Sequence, residues 1–450
     1  MQKNIDLMET APVGRAIILL AIPSVLAMLV QIIYGLTDTY FVSRLGDPNL
    51  VAAISLVMPF AMLIQAVGNI FAFGGASYIS RMLGEKKELE AQKTCSTAFY
   101  CSIILGFVVA MAAYFVMEPI LSLLGTSPAT RQPAKEYMAI LVMFSFIQIL
   151  QIVLAGLIRS EGATKQAMIG ILVGTGVNMV LDYLFILVFM WGIAGAAWAT
   201  IIGNCCGVLY YLLYFKYSRT ILSLRLSLFR PDKQMIFEML AIGFPAAMNS
   251  FIMSASHIIT NNLAISYGEN VMAANGIVMR LVAIALFLIM GIAQGYQPFA
   301  GYNFGARHFD RLKSAFLFAL GFATAIGVSM GIVFYFWGAD LLNQFLKNDD
   351  VIAKGMAMMR PFVWSMPLFG VHFLISMTFQ ATGKAVSAFI LVLVRQALFF
   401  LPMLFILNAL YGFTGFIYAQ PLADMFTTVM AVALFVWFLR HLPKNQARQI

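Results

Sequence analysis

Long apolar runs recur along the whole chain and constrain its fold more than any other feature. A helix rising about 1.5 Å per residue needs about 20 apolar residues to cross a bilayer core of about 30 Å. With 62% hydrophobic and 10% charged residues, the chain also has too few polar groups to cover a soluble surface. The sequence therefore predicts an all-α polytopic membrane protein. Twelve runs are long enough to be transmembrane helices: 15–42, 51–80, 94–117, 137–158, 168–190, 194–216, 236–263, 271–300, 315–337, 357–379, 386–409 and 413–439.

Lysine and arginine are distributed unequally between the two sides of the predicted membrane. If the N-terminus is cytoplasmic, 20 of the 28 basic residues lie in tails and loops on that side, Lys444 and Arg448 among them. Six lie on the other side, and Arg280 and Arg395 lie within spans. Because basic residues concentrate in cytoplasmic loops, we expect both termini in the cytoplasm. This bias accounts for the net charge of +9, so no nucleic acid partner is expected.

The two halves of the chain share a series of short motifs. LAIP at 20–23 is matched by LAIGFP at 240–245. Glycines in three other matching segments are separated by 220 or 221 residues: Gly84 and Gly305, Gly162 and Gly383, Gly192 and Gly412. Such duplication is a common plan of secondary transporters. We expect a six-helix lobe at 1–216, a cytoplasmic linker loop at 217–235 and a second six-helix lobe at 236–450. Six is even, so a pseudo-two-fold axis along the membrane normal should relate the lobes.

Two carboxylates interrupt the apolar runs of the first half. Asp38 lies six residues before Arg44 in the first run, and Asp182 lies nine residues before Trp191 in the fifth. A charge within a span costs about 2.5–3.5 kcal/mol on insertion scales, so such acids are candidates for function. The repeat puts apolar or uncharged residues at the matching positions of the second half: Ile259 or Thr260, and Pro402 or Met403. The asymmetry predicts an ion site in the first lobe alone.

Asn178 and Thr200 extend the acid pair into a set of oxygen ligands. Asn178 lies one helical turn before Asp182 on the same face, and Thr200 returns from the same outer turn in the sixth span. Carboxylate, amide and hydroxyl oxygens suit a hard cation such as Na+, with Asp38 and Asp182 as its metal ligands. The same carboxylates could instead share a proton, so the sequence does not separate Na+ from H+. Asn178 and Thr200 have a structural alternative, which is hydrogen bonding between helices.

Three other polar or helix-breaking residues of the first half have two interpretations each. Pro23, fifteen residues before Asp38, favours a kink in the first span. It is a candidate hinge, with a static kink as the alternative. Gln148 and Gln151 in the fourth span are expected to face the interior, either as substrate contacts or as hydrogen-bonding groups between helices.

Charged residues within the spans of the second half need partners inside the protein. Arg280 and Arg395 are the two bases, and Asp424 in the twelfth run is the most obvious acid. We expect a structural ion pair there rather than a second coupling site.

Together these features resemble the MATE (multidrug and toxic compound extrusion) transporters over essentially the whole chain. The resemblance rests on the duplicated twelve-helix plan, on QIIYGLTDTYFVSRLG at 31–46, on NMVLDYLFI at 178–186 and on the Gly-rich loops between spans 4 and 5 and between spans 10 and 11. Because the acids cluster in the first lobe, the chain is most similar to the DinF-like and MepA-like bacterial branch. The other main branch has acids in helices 7 and 10. Here helix 7 has only Glu238 at its start, and helix 10 has His372 and no acid.

The resemblance implies an antiporter of the bacterial inner (plasma) membrane that expels amphipathic, often cationic compounds as Na+ or H+ enters. It implies no cofactor besides the coupling ion, and we expect a monomer. It places Asp38, Asn178, Asp182 and Thr200 at the cation site. Gln31 and Tyr34 would lie on the cavity-facing side of helix 1, as substrate contacts.

Other functional classes fit the sequence less well. The chain has neither a GxxxxGK[ST] phosphate loop nor an HExxH motif, so we expect neither an ATPase nor a metallohydrolase. The main alternative is a lipid-linked oligosaccharide or lipid flippase of the same superfamily. A flippase cavity that binds pyrophosphate should contain several basic residues, and only Arg280 and Arg395 are available against two first-lobe acids. The composition of the spans therefore favours cationic substrates.

Overall fold

Sixteen α-helices joined by short loops make up the described part of the chain, residues 2–442 of a computed structural model. Residues 443–450, with Lys444, Arg448 and the end of the predicted second lobe, lie outside the described residues. The helices are α1 Gln2–Glu9, α2 Val13–Ser43, α3 Pro48–Gly84, α4 Glu88–Phe115, α5 Met117–Leu123, α6 Pro128–Met143, α7 Ser145–Ser160, α8 Thr164–Asp182, α9 Gly192–Tyr217, α10 Lys233–Ser266, α11 Glu269–Gly305, α12 Phe309–Phe345, α13 Asp349–Ala381, α14 Ala385–Leu393, α15 Leu401–Tyr411 and α16 Phe413–Arg440.

The apolar runs of the sequence correspond to the long helices. Eleven helical stretches are each long and apolar enough to cross a membrane, and the bent pair α6–α7 makes a twelfth if it is one span. The prediction of an all-α polytopic protein with twelve spans is thus confirmed. Six spans, α2 to α9, form the first lobe, and six, α10 to α16, form the second. The linker between α9 and α10 contains only one short 3-10 turn, Leu226–Leu228.

Three spans differ from the continuous helices that the apolar runs predicted. The fourth bends by 52° at Phe144, where α6 ends and α7 begins. No proline occupies the bend; the Phe144 ring packs on Trp198 of α9, with centroids 5.3 Å apart. The fifth and eleventh spans contain π-helical segments, Tyr183–Val188 and Val394–Phe400. Such segments occur frequently at functional sites.

Glycines let the two lobes approach closely in one half of the bundle. This half lies toward the end that carries α1 and the end of α16, here called the terminal face. A Cβ atom on Gly74 of α3 would lie 2.0 Å from the Met239 carbonyl oxygen of α10. One on Gly243 of α10 would lie 2.0 Å from the Ile70 carbonyl oxygen of α3. The absence of side chains at both positions therefore allows direct backbone contact between the lobes.

Polar contacts between the lobes lie toward the same face. Arg81 of α3 forms an ion pair with Glu238 of α10 at 3.0 Å, and the Arg159 guanidinium donates a hydrogen bond to Gln294 at 2.6 Å. Within residues 2–442, the hydrogen bonds between lobes reach no further toward the opposite face than Met62 and Ser254. The lobes are therefore joined at the terminal face, and such bonds do not join them near the opposite face.

The short helix α1 lies across this junction. Its Glu9 carboxylate accepts hydrogen bonds from Lys86 of the first lobe at 2.7 Å and from Tyr302 of the second at 3.1 Å. The Lys86 hydrogen bond lowers the pKa of Glu9. The Met8 carbonyl accepts a bond from Asn303 at 3.1 Å. Helix α1 thus connects both lobes at the terminal face.

Glu161 anchors the linker to the first lobe. It lies between α7 and α8, is 3% exposed, and accepts hydrogen bonds from the Tyr214 and Thr220 hydroxyls, each at 2.7 Å. The Ile221 amide donates to the same carboxylate at 3.2 Å. Burial raises the pKa of Glu161, and these hydrogen bonds lower it. The Glu161 carboxylate of the first lobe therefore holds the linker in place through the hydrogen bonds from Thr220 and Ile221.

Replacing Gly74 with alanine is expected to destabilise the protein by about 1–3 kcal/mol, because the new methyl group meets backbone rather than a flexible side chain. Thermal unfolding of the purified protein in detergent measures this as a lower Tm. Gly321→Ala in α12 is the control, since a Cβ there meets no atom within 4 Å. It should leave Tm unchanged or raise it. Equal Tm values for both variants would contradict the close packing.

Candidate cation site in the first lobe

Close packing of α8 on α9 brings Asn178 and Thr200 together. A Cβ atom on Gly203 of α9 would lie 2.6 Å from the Gly174 carbonyl oxygen and 2.8 Å from Asn178 Cβ. Asn178 Nδ2 donates to Thr200 Oγ1 at 3.4 Å, and Thr200 Oγ1 donates to the Ala196 carbonyl at 3.1 Å. The buried Asn178 Oδ1 has no hydrogen-bond partner within residues 2–442. An amide oxygen and a hydroxyl oxygen therefore lie side by side and can accept further bonds.

Asp182 is the last residue of α8, directly before the π-helical segment Tyr183–Val188. Its side chain is 0% exposed, and neither carboxylate oxygen has a hydrogen-bond partner among the described residues. Asp38 of α2 is half-buried and close enough for the two negative charges to repel each other. The acids that the sequence singled out thus come from two different spans and share one site.

Two tyrosines border the acid pair. Tyr34, one turn before Asp38 on α2, lies beside the Thr200 hydroxyl and near both acids. Tyr137 of α6 is 9% exposed and also lies near both acids. Tyr137 was not predicted from the sequence, because a tyrosine at the edge of an apolar run carries no distinctive signal. The rings of these two tyrosines make the surroundings of the acids largely apolar, and their hydroxyl groups are the polar atoms nearby.

In the described part of the chain, no basic side chain neutralises this pair. Among residues 2–442, neither Asp38 nor Asp182 takes part in an ion pair. The other two fully buried acids have partners: Glu161 accepts three hydrogen bonds, and Asp424 accepts one from Arg395 at 2.9 Å. A buried carboxylate is costly unless it is paired or neutralised. The first-lobe acids therefore form a site that a proton or a small cation would stabilise.

The other predicted residues of the first lobe have different surroundings. Gln148 Nε2 is buried without a hydrogen-bond partner among the described residues, whereas Gln31 is half-buried. Gln151 Nε2 packs against Gly174 of α8 and Gly207 of α9, at 2.6 Å from the position a Cβ would take on either. This placement of Gln151 fits the interhelical alternative. Substrate contacts by these glutamines and by Tyr34 remain predictions.

Helix α2 continues through Pro23 from Val13 to Ser43, so the first span is one helix with the proline inside it, and the kink stays a prediction. Residues on both sides of Pro23 nevertheless pack on the second lobe, Ala21 against Gly295 of α11 and Val25 against Gly291. A Cβ atom on Gly295 would lie 2.5 Å from Ala21 Cα. A change of bend at Pro23 would therefore act directly on the junction of the lobes, and its role as a hinge stays a prediction.

The expectations for the second-lobe charges are confirmed in one case and wrong in the other. Arg395 Nε donates to Asp424 Oδ1 at 2.9 Å, and both side chains are buried. Arg280, expected to need a partner within the protein, is exposed and has none among the described residues.

A duplicated bundle of twelve spans with an unpaired acid pair in one lobe is the plan of a secondary transporter. The family model of MatE matches residues 23–184 and again residues 245–406. The chain belongs to the MatE family, and the resemblance drawn from the sequence is confirmed.

Several known proteins are similar to this chain over nearly its whole length. The multidrug export protein MepA of Staphylococcus aureus is 31% identical over 439 residues, which cover 96% of this chain and 95% of the relative. MepA of Staphylococcus saprophyticus is 30% identical over 432 residues, with the same coverage. A solved outward-facing multidrug resistance MATE transporter of the MOP superfamily is 24% identical, with a TM-score of 0.93 over 98% of this chain and 99% of that one. A MATE protein in complex with MaL6 gives a TM-score of 0.94 at 24% identity, over 99% of this chain and 100% of that one. These structures share the fold.

Proposed function

We propose that the chain is a cation-coupled multidrug efflux antiporter, which exchanges amphipathic, often cationic compounds for Na+ or H+. The observation that carries the proposal is the acid pair of fully buried Asp182 and half-buried Asp38, which has no basic partner among residues 2–442. The MepA relatives, which are multidrug export proteins, support the choice of substrate class. We further propose a location in a bacterial inner membrane with the terminal face toward the cytoplasm.

The geometry supports alternating access. In the present conformation the lobes are joined at the terminal face through Gly74, Gly243 and the ion pair of Arg81 with Glu238. With that face toward the cytoplasm, the conformation is outward-facing. Asp38 is half-buried, so an ion from outside can reach it while Asp182 stays buried. The first step is therefore loading of the acid pair from outside.

Charge competition couples the ion to the drug. An unneutralised acid pair attracts a cationic compound to the first lobe, and a bound Na+ or proton weakens that attraction by cancelling one of the two negative charges. The carboxylates of Asp38 and Asp182, with Asn178 Oδ1 and Thr200 Oγ1, would hold the ion. Its arrival also removes the repulsion between the two acids, which allows α2 and α8 to move closer. Neutralisation thus lowers drug affinity and biases the lobe toward another packing, as an exchange mechanism requires.

The proposal is tested with purified protein in liposomes that contain ethidium, a fluorescent cation. A Na+ gradient and a pH gradient are imposed separately, and protein-free liposomes serve as the control. We expect one of the two gradients to drive dye movement in exchange for the ion, and that gradient identifies the coupling ion. Absence of movement under both gradients, with the protein folded, would overturn the antiporter and favour the flippase alternative.

A further inference from the structure

A cavity of about 60 Å³ lies within the second lobe, between α10, α11, α13, α16 and the π-helical segment Val394–Phe400. A water molecule occupies about 30 Å³ in the liquid, and sites for whole drugs have several hundred Å³. The cavity therefore has room for a substituent of a ligand, not for a whole drug. Much of its wall is aromatic or aliphatic, with six polar side chains among it: Ser256, His257, Thr260, Asn275, Gln396 and Gln420.

This cavity occupies the position in the second lobe that the acid pair occupies in the first. The repeat separates equivalent residues by 220 to 222 positions, since the two matches of the family model begin at residues 23 and 245 and the paired glycines of the two halves are 220 or 221 apart. Three residues of the cavity wall match first-lobe site residues or adjoin the matching positions: Thr260 matches Asp38, and Phe400 and Leu404 adjoin the positions that match Asn178 and Asp182. The repeat thus preserves the location of a site while it replaces both carboxylates by uncharged groups.

Two buried oxygen atoms in the wall lack hydrogen-bond partners within residues 2–442. They are Gln396 Oε1 and Ser256 Oγ, on side chains that are 5% and 3% exposed. Nearly all buried polar groups in proteins are satisfied, so an exception calls for an explanation. Gln396 belongs to the π-helical segment, which is a second departure from regular structure at the same place. Both oxygens are closed to water in this conformation, so a turn of either side chain toward the cavity would let its oxygen accept a hydrogen bond from a donor on a ligand.

The charges next to the cavity neutralise each other. Arg395 Nε and Asp424 Oδ1 are 2.9 Å apart, and Gln420 Nε2 donates to the same carboxylate oxygen at 3.1 Å. The cavity therefore offers neither a free carboxylate to a cation nor a free guanidinium to an anion. The wall atoms without a hydrogen-bond partner among the described residues are acceptors, the oxygens of Gln396 and Ser256. The rings of Phe362, Phe400 and Phe416 in the wall favour an aromatic ligand.

We propose that the second-lobe cavity binds an uncharged hydrogen-bond donor, such as the N–H of an amino-substituted aromatic ring, carried by the exported compound. The inference rests on the proposed function, because it divides recognition of one substrate between the lobes. The first lobe attracts the positive charge, and the second lobe accepts a donor through Gln396 and Ser256. Compounds that carry both features should bind more tightly than compounds with charge alone.

Two permanent cations separate the contributions of the lobes. Ethidium carries aromatic amino groups, whereas tetraphenylphosphonium has no hydrogen-bond donor. Calorimetry on the purified protein measures binding of both, independently of transport. Gln396→Leu and, separately, Ser256→Ala should raise the Kd for ethidium by about three- to tenfold, as expected for one lost hydrogen bond. The Kd for tetraphenylphosphonium should change by less than about twofold, because that cation has no donor to lose.

The matched control is Gln132→Leu, at an exposed position at the start of α6, which should change neither Kd. Tm should not fall in Gln396→Leu, because Gln396 Oε1 has no hydrogen bond to lose among the described residues. Equal effects on both probes, no effect on ethidium, or no binding of ethidium by the wild type would overturn the second-lobe site. If ethidium binds with the expected pattern and no gradient moves it, the antiporter proposal fails and the second-lobe site stands.

Discussion

Replacing Asp182 with asparagine is expected to abolish ion-driven efflux while the protein stays folded. The amide keeps the size of the side chain and removes the charge that the ion must neutralise, so the ion no longer competes with the drug. Coupling between two ligands commonly amounts to about 1–3 kcal/mol, or about 5- to 150-fold in affinity. Gradient-driven ethidium movement in liposomes should therefore fall by at least about fivefold. Asp38→Asn should behave in the same way, because both carboxylates share the site.

The stability of these variants separates a coupling role from a structural role. Asp182 is fully buried, and its oxygens make no hydrogen bond within residues 2–442. Asparagine at this position therefore avoids the free-energy cost of burying an unpaired charge and breaks no hydrogen bond. Tm should stay the same or rise. Asp340→Asn, at an exposed position on α12, is the matched control and should leave both transport and Tm unchanged. Normal gradient-driven exchange by Asp182→Asn and Asp38→Asn would refute the proposed coupling mechanism.

The positions of the spans could be predicted because the bilayer acts on sequence directly. Each span must be apolar over about 20 residues, whatever its neighbours are. The bend at Phe144 could not be predicted in this way, because it occurs without proline and depends on packing against Trp198, more than 50 positions away. The π-helical segments after Asp182 and around Arg395 were missed for a similar reason. They change the hydrogen-bond register and leave the apolar pattern intact.

The candidate site was predictable to the extent that its residues are unusual for a membrane span. Asp38 and Asp182 stand out as charges in apolar runs, and Asn178 follows from its spacing to Asp182. Tyr137 does not stand out, although it borders both acids. The second-lobe cavity was missed because single hydroxyl and amide side chains on four spans are common hydrogen-bonding groups between helices. Only their convergence on one space distinguishes them.

Replacing Arg395 with leucine is expected to destabilise the protein by about 3–5 kcal/mol, the usual cost of leaving one partner of a buried ion pair alone. Asp424 is 0% exposed and would retain only the hydrogen bond from Gln420. The Arg395 guanidinium also lies over the Phe369 and Phe373 rings, at 5.8 and 5.3 Å from their centroids, and these contacts would be lost. Thermal unfolding in detergent measures the change as a lower Tm.

The double variant Arg395→Leu with Asp424→Leu decides whether this pair is structural. If the loss in the single variant comes from an uncompensated charge, removing both charges should restore most of the stability. Gradient-driven transport should then return with it, since no ion needs to bind Asp424. If the double variant is stable but does not transport, Asp424 takes part in ion coupling. The two lobes thus make opposite predictions for the same chemical change: neutralising Asp182 should spare stability and abolish coupling, whereas neutralising Asp424 together with its partner should spare both.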